Sequence, residues 1–152
     1  MDFFNTISLE QQLTIIIRVA IVAILAGLIG WERDRAGKAA GTRTMALVGL
    51  SSTLIVAIGE VLNINFGMGD PTRALHAVVT GIGFLGAGLI FTTRKSNETQ
   101  GVTTSATVLT TACMGIAVGL GFLFTAIFFT IVTVIILRST QLMERAQRKH
   151  LD

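Results

Sequence analysis

VTTSATVLTTACMGIAVGLGFLFTAIFFTIVTVIIL, residues 102–137, contains no Asp, Glu, Lys, Arg or His. As one helix at about 1.5 Å rise per residue it would reach roughly 54 Å, against a bilayer hydrocarbon core of roughly 30 Å. The stretch must therefore fold back on itself, and Gly119, Leu120 and Gly121 form its one plausible turn. This predicts a fourth span at 102–118 and a fifth at 122–138. A turn without polar residues is unusual, so a re-entrant fourth segment is the alternative.

Outward from this stretch the same pattern repeats. Apolar runs of bilayer length alternate with short clusters of charge, in a chain that is 51% hydrophobic and only 14% charged. Such a balance reads as membrane-embedded. Ser8, Leu9, Glu10 and Gln11 have the form of a capping box, which starts a first helix at 9–30. A polar loop leads to a second helix at 44–62, and Asp70 followed by Pro71 marks the start of a third at 72–91. A basic tail covers 139–152. The fold class is all-α: a single-domain polytopic integral membrane bundle of about five transmembrane helices.

Orientation follows from the basic side chains, which short loops retain on the cytoplasmic side. Arg33, Arg35, Lys38 and Arg43 lie between helices one and two, Arg94 and Lys95 between three and four, and Arg138, Arg145, Arg148 and Lys149 after helix five. The other side has only Arg73, beside Asp2, Glu10, Glu60 and Asp70. The reading is N-terminus out and C-terminus in, which makes any homodimer or higher homo-oligomer parallel. The net charge of +3 points to no nucleic acid, because the cations flank spans. The single cysteine, Cys113, allows neither an intramolecular disulfide nor a thiolate cluster.

Small residues recur along three helices. Ala20, Ala23, Gly27 and Gly30 form a stripe on helix one; Ala77, Gly81 and Gly88 lie within the run that also holds Gly83 and Gly86; Thr103, Thr107, Thr111, Gly115 and Gly119 follow at steps of four. Such stripes let helices approach closely where lipid removes the hydrophobic drive for association. A ligand-lining or pore role is the alternative, since threonine hydroxyls and open carbonyls also coordinate ions. In the loop WERDRAGKAAGTRT, Glu32 and Asp34 stand among Arg33, Arg35, Lys38 and Arg43, which either form selective ion pairs or enforce topology at anionic headgroups. Arg18 lies shallowly in helix one, placed to snorkel outward or to pair with Glu60 or Asp70. His76, one turn after Arg73, either titrates with external pH or is satisfied by a nearby hydroxyl or carbonyl. Gly101, Thr103, Thr104 and Ser105 open helix four with free N–H groups that bind an anion or are capped locally. No nucleotide-binding loop, nucleophile with a base or zinc spacing is present, so neither an enzyme, a resident metal nor a cofactor is expected.

Three stretches, GLIGWERDRAGKAAGTRT at 27–44, GIGFLGAGLIF at 81–91 and GVTTSATVLTTACMGIAVGLG at 101–121, resemble the membrane domain of the MgtC/SapB family. The matching positions are Gly27, Gly30, Glu32 and Arg33; Ala40, Gly41, Arg43 and Thr44; Gly81, Gly83, Gly86 and Gly88; and Gly101, Thr103 and Thr104. The resemblance implies a bacterial inner-membrane protein linked to magnesium homeostasis and low-magnesium adaptation. It further implies action by modulating other membrane proteins, the proton-translocating ATP synthase among them. The family prototype carries a soluble C-terminal domain after its membrane helices, whereas the expectation from residues 139–152 is a short basic tail after the fifth helix.

The leading expectation is thus a non-enzymatic regulator that self-associates and docks partner helices through helices three and four. Glu32, Arg33 and Arg43 fix the cytoplasmic ends of helices one and two, and Gly83→Leu or Gly115→Leu weakens association. A small ion or solute transporter, for Mg2+ among other ions, is the rival.

Overall fold

The computed structural model describes residues 7–67, 70, 72–93 and 98–148. Its elements run α1 (Leu9–Arg35), α2 (Thr42–Phe66), α3 (Thr72–Leu89), β1 (Phe91–Thr93), β2 (Glu98–Gln100), α4 (Val102–Gly119) and α5 (Leu123–Arg148). Helices α1 to α4 are long and apolar enough to cross a membrane; the apolar part of α5, Leu123–Ser139, is shorter. Asp2, Pro71, Arg94, Lys95 and Lys149, used above for orientation and helix starts, lie outside the described residues.

Local signals explain most helix ends. Ser8 Oγ accepts from Gln11 N and Gln11 Oε1 accepts from Ser8 N, both at 3.1 Å, which completes the capping box. Asp70 Oδ1 accepts from Thr72 N at 2.8 Å at the start of α3. This backbone bond, in the company of Arg73 and His76, holds the Asp70 carboxyl below the usual carboxylate range. Between α4 and α5 the chain reverses at Leu120 and Gly121, where Gly121 takes a left-handed φ of 84°. The uncharged stretch is therefore a helical hairpin, and α4 is continuous throughout its length.

Several boundaries differ from expectation, α2 among them, which runs on to Phe66 beyond the expected end at 62. The expected loop from residue 31 is helical as far as Arg35, so α1 carries Glu32 and Arg33 into the interior, where both are buried. The expected polar loop after α3 contains a short antiparallel pair, Phe91 opposite Gln100 and Thr93 opposite Glu98. In addition, α5 continues to Arg148 through most of the basic tail.

The architecture is organised around α4, which packs against α1, α2, α3 and α5. Small side chains make that centrality possible. A Cβ on Gly115 would lie 2.7 Å from the Gly49 carbonyl oxygen, so α2 and α4 pass nearly backbone to backbone. Thr53 Oγ1 donates to the Gly115 carbonyl across this contact at 2.8 Å. Val22, Ala26, Ile29, Met45, Val56, Val108, Met114 and Val118 fill the core, and Ile24, Phe124, Phe128 and Ile135 are among the apolar side chains left facing outward, as a lipid solvent requires.

Candidate functional site

The densest polar chemistry lies where α1 ends, α2 and α4 begin and the β1–β2 pair stands. Asp34, exposed on the last turn of α1, accepts through Oδ2 from Thr42 N at 3.0 Å and from Thr42 Oγ1 at 2.6 Å. It thereby supplies the N-terminal cap that Gly41, which has no side chain, cannot provide for α2. A Cβ on Gly41 would collide with the Asp34 carboxylate, and one on Gly30 would collide with the Thr42 backbone. The Gly-rich spacing of this segment is thus a steric requirement of the α1–α2 corner.

Arg33, one residue earlier, points the other way. It is 3% exposed and its Nη2 donates to Thr104 Oγ1 at 2.9 Å, tying α1 to the first turn of α4. Its Nε is buried with no hydrogen-bond partner among the described residues. Glu32 is equally buried and acts on the guanidinium electrostatically. Arg35 stacks over Trp31, its Cζ 4.1 Å from the ring centroid. Arg43 is exposed, so Asp34 and Arg33, not Arg43, join the helices here.

The opposite end has its own polar centre. Arg18 Nη1 donates to Glu60 Oε2 at 2.6 Å and also to the Gly119 carbonyl. Arg18 therefore turns inward, joining α1, α2 and the C-terminus of α4, where a cation also suits the helix dipole. His76 is exposed on α3 and makes no hydrogen bond among the described residues, so the expectation that a neighbour satisfies it is not met.

The small-residue positions separate into two classes. Gly86 and Gly115 are packing sites, Gly86 meeting the Ser105 side chain, with a would-be Cβ 2.6 Å from Ser105 Oγ. A Cβ on Gly27, Gly81, Gly83 or Gly88 would meet nothing. Helix α1 packs through Val22, Leu25, Ile29 and Arg33, so Ala20 and Gly27 of the expected stripe face away from the core contacts. From Thr107 to Gly119 the α4 stripe is buried inside this chain, and its hydroxyls serve their own helix: Thr107 donates to the Thr103 carbonyl and Thr111 to that of Thr107. Gly115→Leu would accordingly disrupt the fold itself and not only association. Gly101, with φ of 88°, caps α4 without a side-chain bond; any Cβ there would strike the Leu89 carbonyl. Thr103 is exposed. Among the described residues no three His, Cys, Asp or Glu side chains come together.

These features coincide with a family pattern. The model of the MgtC family matches residues 19–146, the whole bundle from within α1 to within α5. The chain belongs to the MgtC family. This MgtC-family chain is 37% identical over 127 residues to the putative magnesium transporter YhiD of Escherichia coli strain K12, an overlap covering 80% of the chain and 58% of the relative. It is 38% identical over 98 residues to the protein MgtC of Brucella abortus, covering 64% and 39%, respectively. To the protein SapB of Bacillus subtilis it is 32% identical over 129 residues, covering 79% and 55%. It thus spans less than two thirds of the length of each of these relatives. No solved structure matches the chain.

Sequence reasoning did not foresee Asp34 as the cap of α2 or the burial of Glu32 and Arg33. A signal was present: Arg18, Val22, Leu25, Ile29 and Glu32 recur at three- and four-residue steps, and this is the face that packs.

Proposed function

We propose that this MgtC-family chain is a non-enzymatic regulator of the bacterial inner membrane, linked to magnesium homeostasis and low-magnesium adaptation through its effect on other membrane proteins. The supporting observation is how little of α3 packs inside this chain: Gly83 and Phe84 face outward, and Gly81 borders an open apolar groove against α2. Only Val78, Ile82 and Gly86 of that helix are buried, while Gly81, Gly83 and Gly88 stand open beside Phe84, which is 81% exposed. Glycines with no internal contact contribute nothing to the packing of this chain and weaken the helix. A transmembrane helix of a partner, or of a second copy in a parallel homo-oligomer, finds there the close approach that membrane association needs.

The test is in-membrane cysteine crosslinking and affinity capture from native membranes. Gly83→Leu should reduce capture of partner membrane proteins, with the ATP synthase among those sought, while insertion and the unfolding midpoint stay at the parental value. Unchanged capture by a correctly inserted Gly83→Leu variant would contradict the reading.

The second reading, a magnesium transporter, is favoured by the name of the Escherichia coli relative. Vesicles containing the purified chain and a magnesium-sensitive dye separate the two. A saturable, protein-dependent flux would replace the regulatory reading.

A further inference from the structure

A cleft of about 730 Å³ opens at the end of the bundle where α1 stops and α4 starts. Arg33, Lys38, Gln100, Gly101, Thr103 and Thr104 are among its walls, and Leu89, Phe91, Val102 and Leu137 give it an apolar side. No carboxylate is among its described lining residues. Asp34 is turned away to Thr42.

Two independent features converge there. The first turn of α4 has no side-chain cap, because its N-cap residue is Gly101. The N–H groups of that turn have no partner within the helix and mark its positive end. The second feature is Arg33, a guanidinium 3% exposed whose Nη2 donates to Thr104 in that same turn and whose buried Nε has no acceptor among the described residues. A buried cation set against a helix N-terminus is opposed by the helix dipole. Glu32 offsets part of this charge from beside Arg33, but it does not line the cleft, and Lys38 adds a further cation. A tetrahedral oxyanion would accept from the arginine fork, the open amides and the ammonium together.

We propose that this cleft binds a phosphate group, with Arg33, Lys38 and the first turn of α4 as its donors. The group is either the phosphate of a phospholipid headgroup, whose carbon chain would follow the apolar wall, or free inorganic phosphate.

The experiment uses the full chain in an alkyl maltoside, which carries no phosphate. The unfolding midpoint is followed during titration with inorganic phosphate in one arm and dihexanoyl phosphatidylglycerol in the other, at matched ionic strength set with chloride. A saturable rise in the first arm assigns the free anion, and a rise in the second arm alone assigns the headgroup. In either case Lys38→Gln should weaken the response by about fivefold, the value of one cation near such a surface, and Arg33→Gln should abolish it. If Arg33→Gln does not fold, Lys38→Gln alone decides. No saturable rise with either probe, or a response unchanged in Lys38→Gln, overturns the proposal.

Discussion

Asp34 caps a helix that begins eight positions later, and Gly41 leaves the space in which its carboxylate sits. Gly41→Ala should therefore lower the unfolding midpoint in micelles, whereas Gly27→Ala, whose added carbon meets nothing, should leave stability unchanged or raise it by up to about 1 kcal/mol. Equal effects of the two substitutions in denaturant titration would contradict the steric account. Arg18 is a second single-residue test. Its side chain is 20% exposed and that of Glu60 32%, so solvent screens the pair, yet Arg18 also holds the Gly119 carbonyl. Arg18→Met should cost about 1–2 kcal/mol, more than an exposed ion pair and less than a fully buried one. A loss near zero would return Arg18 to a role at the membrane interface.

At the scale of elements, turns and caps decide where the crossings begin. Gly121 takes a φ that side-chain-bearing residues adopt at a cost of roughly 1–2 kcal/mol, and Arg18 crowds the same position. Gly121→Val should lower stability by at least that amount in the same denaturant assay, while Gly83→Val should not. The start of α3 carries a pH dependence. The Asp70 carboxyl is depressed in the folded chain by its bond to Thr72 N, so its contribution is fully present above the unfolded value of about 4 and fades as pH falls through the lower folded value. Asp70→Asn should flatten the acid limb of the unfolding midpoint against pH; an acid limb identical to the parent's would show that the cap is not what titrates. The signals at these ends were legible because each is local: Ser8 with Gln11, Asp70 with Thr72, and Gly121 between two apolar runs. Asp34 with Thr42 was not, since a loop of unspecified path separates them.

For the whole molecule, what sequence reading could not reach was the direction in which faces turn. A stripe of small residues says that helices approach closely there, but not whether the neighbour belongs to the same chain. On α4 the stripe packs internally against Gly49 and Thr53, and on α3 it opens outward, although both were read as recognition faces. The contact of Arg33 with Thr104 spans 71 positions and exists only once α4 stands at the centre of the bundle. The number of helices and the fold-back near Gly121 needed no such knowledge, because length against bilayer thickness settles them. That hairpin brings the segments carrying Arg33, Arg43 and Arg138 to one end of the bundle, and the proposed regulatory reading places that end in the cytoplasm. A reporter that fluoresces only in the cytoplasm, fused after Asp152, tests it most directly: the account predicts bright cells, and a dark reporter on a protein whose fused alkaline phosphatase is active outside would contradict it.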